Sequence, residues 1–218
     1  MARIVFDLDG TLIDSAPDIR GIANAILERE GKEPISLPQA RDFIGNGASV
    51  FVRKMREAQG IPDSDHDRIL KDFTDAYVTA VDLTVPYPGV EAALVALKQA
   101  GHVLGICTNK PIVPTRAVIK HVGLEQYFAV MIGGDSLPVH KPDPAPLHKT
   151  FAQLGEGKVI YVGDSDVDAE TAKRAIVPFL LFTEGYLKVP VDSLTYEKTF
   201  NDFALLPDLV AQVLGAKP

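Results

Sequence analysis

Three things are scarce in this 218-residue chain: cysteine, long hydrophobic runs and positive charge. Cys107 is the only cysteine, which excludes an intrachain disulfide and a cysteine-based metal cluster. No apolar run approaches the roughly 20 residues that a membrane-spanning helix needs. Residues 1–30 also lack the layout of a signal peptide. We therefore expect a cytoplasmic protein that has no membrane partner.

The shortage of positive charge narrows the class of partner. Lysine and arginine number 22 against 29 aspartates and glutamates, so the net charge is −7. Nucleic-acid-binding proteins usually carry a basic face, and we expect no such partner here. A small anionic substrate is compatible with this charge, because a bound metal ion or a lysine reverses the field within one cleft.

The chain does have a regular alternation of short apolar runs and helical patterns. The runs at residues 3–6, 103–107, 129–132, 159–162 and 179–182 predict buried strands. Helical spacing of apolar residues separates the last four runs. This alternation predicts an α/β fold with a Rossmann-like parallel sheet and right-handed crossovers.

The interval after the first predicted strand breaks this rhythm. Nearly a hundred residues lie between Asp7 and the strand at residue 103. They show helical spacing, as at Ile19, Ile22 and Ile26, and little strand signal. We predict an all-helical cap domain at residues 15–85, inserted into a core domain of residues 1–14 and 86–218. The two crossings are the expected hinges.

Asp7-Leu8-Asp9-Gly10 follows the first predicted strand. Residues i and i+2 of a strand point the same way, and open α/β sheets bind ligands at the carboxyl ends of their strands. Two carboxylates there repel each other unless a cation or a proton separates them. The motif predicts a metal site or an acid–base pair, and a surface turn with two solvated aspartates is the alternative.

Three further motifs follow later strands, and each has a plainer alternative. Thr108 and Asn109 can donate hydrogen bonds to an anion, or they can cap a helix. Lys141 lies in a proline-stiffened loop that could fix its charge, whereas most surface lysines are only solvated. Asp164 and Asp168 would share a helix face, as metal ligands or as favourable first-turn residues. Together the motifs provide carboxylates, a metal site and positive charge, which phosphoryl transfer requires.

The ordered set Asp7-x-Asp9, Thr108, Lys141 and Gly163-Asp164-x-x-x-Asp168 resembles the haloacid dehalogenase superfamily. The resemblance covers essentially the whole chain, including a helical cap after the first motif. It implies that Asp7 is a nucleophile that forms an aspartyl-phosphate, with Asp9 as general acid and then general base.

The same resemblance implies how the remaining site residues act. Asp7, the backbone carbonyl of Asp9 and Asp164 would ligate Mg²⁺, and Asp168 would support the metal site. The phosphoryl oxygens would be held by Thr108, Asn109 and Lys141. The implied activity is that of a Mg²⁺-dependent phosphatase acting on a small phosphorylated metabolite.

Residues 7–18, 43–48, 133–138 and 141–147 are similar to the branch of this superfamily that hydrolyses 2-phosphoglycolate. The cap loop Gly45-Asn46-Gly47 is expected to set specificity, because glycine lets the backbone approach a small substrate. Asn46 could bind a substrate carboxylate, and Arg41 and Arg53 flank the loop. A plain helix–helix turn is the alternative for this segment.

Other activities stay open at this point. A phosphatase for a sugar phosphate or a nucleotide would carry the same core motifs, and so would a phosphosugar mutase. A non-catalytic binding protein on the same fold would usually have lost an acid or the lysine, and none is lost here. Asp9 argues against the dehalogenase and phosphonatase branches. The chain could be a monomer or a homodimer.

One departure from the family pattern concerns the end of the helix after Asp168. Residues 175–178 lack the glycine that the family often uses there. We expect Pro178 to end this helix instead, with no effect on catalysis.

Overall fold

The computed structural model describes residues 1–215. The strands in chain order are β1 (Ala2–Phe6), β2 (Ile13–Asp14), β3 (Val85–Pro86), β4 (Val103–Cys107), β5 (Phe128–Ile132), β6 (Lys158–Gly163), β7 (Phe179–Phe182) and β8 (Lys198–Phe200). All but β2 and β3 form one parallel sheet in the order β5-β4-β1-β6-β7-β8. The predicted parallel α/β fold is confirmed; residues 216–218 of the predicted core lie outside the described range.

Nine α-helices lie within the described residues. They are α1 (Ala16–Arg29), α2 (Leu37–Phe43), α3 (Ala48–Gln59), α4 (His66–Tyr77), α5 (Val90–Gln99), α6 (Ile112–His121), α7 (Ala145–Gln153), α8 (Asp166–Ala175) and α9 (Leu206–Val213). The first four lie between β1 and β4, and the others alternate with the strands or follow them. No helix of the described chain is long and apolar enough to cross a membrane.

The central strands are apolar on both faces because helices cover both sides of the sheet. Ile4 and Phe6 of β1 pack in the cluster that includes the buried faces of α5, α6 and α9. Val5, which points to the opposite face, packs with residues of α7 and α8. Burial on both sides fixes the strand register and so fixes where each strand ends.

Helices α1 to α4 enclose an apolar cluster of their own. Ile19, Ile22 and Ile26 of α1 pack there with Phe51 of α3 and Phe73 of α4. The chain enters and leaves this helical segment through β2 and β3, which pair antiparallel. The helical content of the predicted insert is thus present, and its action as a movable cap domain stays a prediction.

Two local features differ from the expectations. Strand β8 adds a sixth strand at the sheet edge; its three residues are too few to produce a recognisable apolar run. Helix α8 ends at Ala175 because Ile176 adopts a left-handed conformation with φ of 57°, so Pro178 does not end it. Ile176 occupies a position that usually favours glycine, and it is 90% exposed.

Candidate active site

The carboxyl ends of three neighbouring strands bring the predicted motifs together. Asp7 follows β1, Thr108 follows β4 and Asp164 follows β6, and β1 lies between the other two in the sheet. The backbone N–H of Asp7 still donates to Val162 O (2.9 Å), which continues the sheet ladder to the site. The rigid sheet edge therefore positions these residues side by side.

Lys141 is the buried cation of this cluster. Its Nζ lies 2.8 Å from Asp7 Oδ1 and 2.7 Å from Asp168 Oδ1, and it also donates to the Tyr161 hydroxyl (2.9 Å). The Lys141 side chain is only 2% exposed. Its ammonium is thus a fixed charge beside Asp7, and the plain alternative of a solvated surface lysine does not apply.

Carboxylate oxygens of Asp7, Asp164 and Asp168 lie within 4.8 Å of one another. The oxygens of Asp168 accept hydrogen bonds from Lys141, Tyr161 and Ser165, so this residue braces the cluster. Asp7 Oδ1 is buried and accepts no hydrogen bond of regular geometry from residues 1–215, although it forms an ion pair with Lys141. Carboxylate oxygens are hard donors, and a cluster of them that includes this buried Asp7 oxygen fits a divalent cation such as Mg²⁺.

Protonation of the three acids follows from burial and from Lys141. Burial, and then the charge of Asp168, raises the pKa of Asp7 to about 7 although Lys141 opposes the rise. Burial also raises the pKa of Asp164, with Asp168 and Asp7 adding to the shift. Burial would raise the pKa of Asp168 as well, but the Lys141 charge and the hydrogen bonds from Lys141, Ser165 and Tyr161 together lower the pKa. A bound cation would favour the deprotonated forms of Asp7 and Asp164 and would reduce the repulsion between the acids.

Asp9 lies at the edge of the same cluster with a different environment. Its Oδ1 accepts hydrogen bonds from Ser15 Oγ (2.6 Å) and from Lys110 Nζ (3.2 Å). Its Oδ2 accepts none from the described residues. The side chain is 10% exposed and lines a cleft beside Asp7. One carboxylate oxygen is therefore oriented by the protein while the other is available to a bound molecule.

Thr108 and Asn109 occupy the predicted position after β4, but their side chains have different surroundings. Thr108 is 3% exposed and lines the cleft with Asp7 and Asp9. The Asn109 amide instead joins two loops: its Nδ2 donates to Gly45 O (3.0 Å) and Lys141 O (2.9 Å), and its Oδ1 accepts from Lys141 N (2.9 Å). The side chain of Asn109 thus helps to position Lys141, and its expected contact with a phosphoryl oxygen stays a prediction.

The helical segment covers the site and forms a cleft with it. The empty space of the cleft, about 410 Å³, includes space that is open to solvent. Gly45 and Gly47 line it, and both have positive φ (120° and 85°). Asn46 does not line it and instead lies on an outer groove. The predicted contact of its amide with a substrate carboxylate stays a prediction.

The two arginines that flank the cap loop do not reach the cleft. Arg41 pairs with Asp14 (2.8 Å) and lies over the Tyr186 ring, 5.8 Å from its centre. Arg53 is exposed on α3. On the core side, Lys188 Nζ donates to the backbone oxygen of Ile44 and so ties the segment after β7 to the cap loop.

Several residues of the site have contacts that the motifs did not predict. Thr11 and the backbone N–H of Tyr186 donate to the two oxygens of Asp164, each at 2.6 Å. Tyr161 contacts Lys141 and Asp168 from inside β6. Lys110 had a signal, because it directly follows Thr108 and Asn109 after a strand. The tyrosines had none, since only the tertiary fold places them here.

Comparison with known proteins agrees with this geometry. A family model described as haloacid dehalogenase-like hydrolase matches residues 4–182. A phosphoglycolate phosphatase of Cereibacter sphaeroides is 46% identical over 218 residues, covering 99% of this chain and 100% of the relative. One from Rhodobacter capsulatus is 44% identical over 209 residues, 95% of each chain. The crystal structure of a predicted phosphoglycolate phosphatase from Haemophilus somnus superposes with a TM-score of 0.89 at 29% identity, covering 95% of this chain and 96% of that one.

Proposed function

This chain belongs to the family of haloacid dehalogenase-like hydrolases, and we propose that it is a Mg²⁺-dependent phosphatase of small phosphate monoesters, with 2-phosphoglycolate as its substrate. The relatives described above carry that activity in their names, and this chain covers them almost end to end. The proposed products are glycolate and inorganic phosphate.

The first half of the proposed reaction forms a phosphoryl-enzyme. A carboxylate oxygen of Asp7 attacks phosphorus, the bond between phosphorus and the ester oxygen breaks, and Asp9 gives its proton to the departing oxygen. Lys141, 2.8 Å from Asp7, and the buried Thr108 face the phosphoryl oxygens. Their fixed positions stabilise the charge of the transition state without reorganisation.

The second half releases phosphate and restores both acids. Asp9, now a carboxylate, accepts a proton from a water molecule, and that water attacks the phosphorus of the aspartyl-phosphate. The bond between Asp7 and phosphorus breaks, so Asp7 is again a free carboxylate and Asp9 is again protonated. The helical segment over the cleft excludes other water during the first half.

Three donors would hold the metal ion: a carboxylate oxygen of Asp7, the backbone carbonyl of Asp9 and a carboxylate oxygen of Asp164. Asp168 would keep Lys141 and the start of α8 in place beside them. A divalent ion in this position supplies positive charge for the phosphoryl oxygens and offsets the repulsion between the acids. The acid cluster is compatible with this role, because Asp7 Oδ1 is buried and no residue of the described chain donates a hydrogen bond to it.

One observation carries the proposal more than any other. Two aspartates from one strand end face the same cleft with opposite environments: Asp7 is clamped by a buried lysine, whereas Asp9 keeps one free oxygen at the cleft. A nucleophile must be held in one place, and a proton shuttle must reach the leaving group and then water. The pair supports a division of labour that hydrolysis of a phosphate ester requires.

The proposal is tested by removing the nucleophile alone. Asp7→Asn is expected to abolish phosphate release from 2-phosphoglycolate in the presence of Mg²⁺, while circular dichroism and Tm show an intact fold. Asp192→Asn, a change of the same kind at an exposed position, serves as control and should retain activity. Turnover by Asp7→Asn within tenfold of the unaltered enzyme would overturn the assignment of Asp7.

A further inference from the structure

Lys110 is a buried cation in the cleft that the proposed reaction does not use. Its side chain is 3% exposed, and its Nζ lies 3.2 Å from Asp9 Oδ1. On the cap side, Nζ lies 3.9 Å from the centre of the Tyr77 ring, in a cation–π contact. Removing an ammonium group from water is costly unless anions and polar groups replace the water. An anion bound in the cleft would offset part of this cost for Lys110.

The hydrogen bond to Asp9 uses only one of the N–H donors of Lys110. An ammonium group has three N–H donors, and Asp9 Oδ1 is the only acceptor that Nζ has among residues 1–215. The Tyr77 ring covers another side of the group. Because Lys110 also lines the cleft, at least one donor is left for an anionic group bound there.

Among the described residues, the other side chains that line this cleft carry no positive charge. The residues that the helical segment contributes are apolar or glycine, apart from the Tyr77 ring: Ile19, Ile44, Gly45, Gly47, Ala48, Phe51 and Phe73. Within the described chain, Lys110 is the only lysine or arginine that lines this cleft. An apolar surround strengthens the interaction between opposite charges. A charged substituent of the substrate is therefore directed to Lys110.

The position of Lys110 relative to Asp9 specifies which part of the substrate it meets. Asp9 must contact the leaving oxygen, and Lys110 is hydrogen-bonded to Asp9. The group next to Lys110 is thus the part of the leaving group attached closest to that oxygen. In an ester of the form phosphate–O–CH₂–COO⁻, the carboxyl carbon is separated from the ester oxygen by a single carbon. A carboxylate so close to the ester oxygen can reach Lys110, whereas a distant charge in a long leaving group cannot.

We propose that Lys110 determines specificity by binding the carboxylate of the leaving group, so that the substrate class is short phosphate esters of 2-hydroxy acids. This inference rests on the proposed phosphatase function and deepens it. In this proposal the carboxylate is bound by Lys110, a charged residue of the core, and not by Asn46. Selectivity then arises because a neutral substituent leaves the buried ammonium without its second partner.

A second role for Lys110 would produce a different result. If the lysine only positioned Asp9, its removal would slow all esters alike, because every substrate needs the same proton transfer. If it binds the carboxylate, its removal harms only substrates that carry one. A matched pair of esters separates the two cases: 2-phosphoglycolate, and 2-hydroxyethyl phosphate, in which a neutral hydroxymethyl group replaces the carboxylate.

The experiment compares kcat/KM for these two esters in the full-length enzyme with Mg²⁺. Lys110→Met, which keeps the length of the side chain without its charge, is expected to lower the preference for 2-phosphoglycolate by about 10- to 100-fold, mainly through KM. Lys110→Arg should retain part of the preference. Lys120→Met, an exposed lysine on α6, should leave both values unchanged. Lys110→Gln replaces Lys110→Met if the latter does not fold.

Each outcome has one meaning. An unchanged ratio of the two kcat/KM values, or an equal loss for both esters, overturns the role of Lys110 in carboxylate binding. If the unaltered enzyme releases phosphate from neither ester, the proposed function is overturned instead. A selective loss for 2-phosphoglycolate in Lys110→Met, recovered in part by Lys110→Arg, is the predicted result.

Discussion

The hydroxyl of Tyr186 donates a hydrogen bond of 2.6 Å to Asp14 Oδ1, and this contact joins the core to the start of the helical segment. The same hydroxyl accepts hydrogen bonds from the backbone N–H groups of Ser15 and Ala16, at 2.9 and 3.0 Å. At its other end, the backbone N–H of Tyr186 donates to Asp164 Oδ2. One residue therefore connects a predicted metal ligand with a crossing into the cap.

Tyr186→Phe should reveal this connection because it removes only the hydroxyl. Two buried N–H groups and one carboxylate oxygen lose a partner, so we expect the free energy of unfolding to fall by about 1–3 kcal/mol. We also expect a raised KM, since the segment over the cleft is anchored less firmly. Denaturant unfolding and steady-state kinetics measure the two effects. Tyr127→Phe, whose hydroxyl meets Glu91 at the surface, is the control, and equal effects of both variants would count against the account.

Asp168 is expected to be essential for stability as well as for activity. It is fully buried and accepts hydrogen bonds from Lys141, Tyr161 and Ser165. Asp168→Asn leaves the Lys141 ammonium with a weaker set of partners, and loss of one member of a buried ion pair typically costs about 3–5 kcal/mol.

The matched control for Asp168→Asn is Glu170→Gln on the same helix. Glu170 pairs with Arg174 at the surface, where an ion pair contributes little to stability. Urea denaturation compares the two variants. If both variants lose a similar amount of unfolding free energy, the buried contacts of Asp168 are no more stabilising than a surface ion pair.

Gly10 is predicted to tolerate no side chain, for two physical reasons. Its φ is +89°, which an L-residue with a Cβ rarely adopts, and an alanine Cβ would overlap Asp164 Oδ2. Gly10→Ala should therefore displace Asp164 and weaken the response of Tm to Mg²⁺. Gly21→Ala in α1, where a Cβ meets nothing within 4 Å, should instead stabilise the protein by up to about 1 kcal/mol. An unaltered Mg²⁺ response in Gly10→Ala would contradict the placement of Asp164 in the metal site.

The acid cluster predicts how metal binding depends on pH. Burial, then Asp168, raises the pKa of Asp7 from 3.8 to about 7 in the folded protein. A raised folded pKa means that stability of the metal-free protein is lost as pH rises from about 4 to about 7. Metal binding requires the deprotonated acid and reverses this loss. Mg²⁺ should accordingly raise Tm more at about pH 8 than at about pH 6 in calorimetry; an equal or opposite dependence would contradict the raised pKa.

Residues at strand ends were predictable from the sequence, whereas residues placed by tertiary packing were not. Asp7, Thr108 and Asp164 meet because parallel strands end at one edge, and apolar runs locate those ends. Lys141 is brought in by the Asn109 amide, which holds its backbone. No local pattern signals that such an amide is used internally, and the expected contact of Asn109 with a phosphoryl oxygen stays a prediction.

The same limit applies to the elements that sequence patterns missed. Helix α2 has only seven residues, although its capping box of Ser36 and Gln39 is a local signal that could have located it. Strand β8 is recognisable only through its pairing with β7. Ile176 occupies a left-handed position without being glycine, which no propensity would suggest. The cap loop was least predictable, because sequence alone could not say that Asn46 lines a different groove from Gly45.

The central claim is that the site hydrolyses a small phosphate ester and prefers 2-phosphoglycolate. The most direct measurement is kcat/KM for phosphate release from a panel containing 2-phosphoglycolate, several sugar phosphates and a nucleoside monophosphate, with Mg²⁺ present. The account predicts that 2-phosphoglycolate ranks first and that a chelator removes all activity until Mg²⁺ is restored. A higher kcat/KM for a sugar phosphate or a nucleotide, or activity that survives chelation, would contradict it.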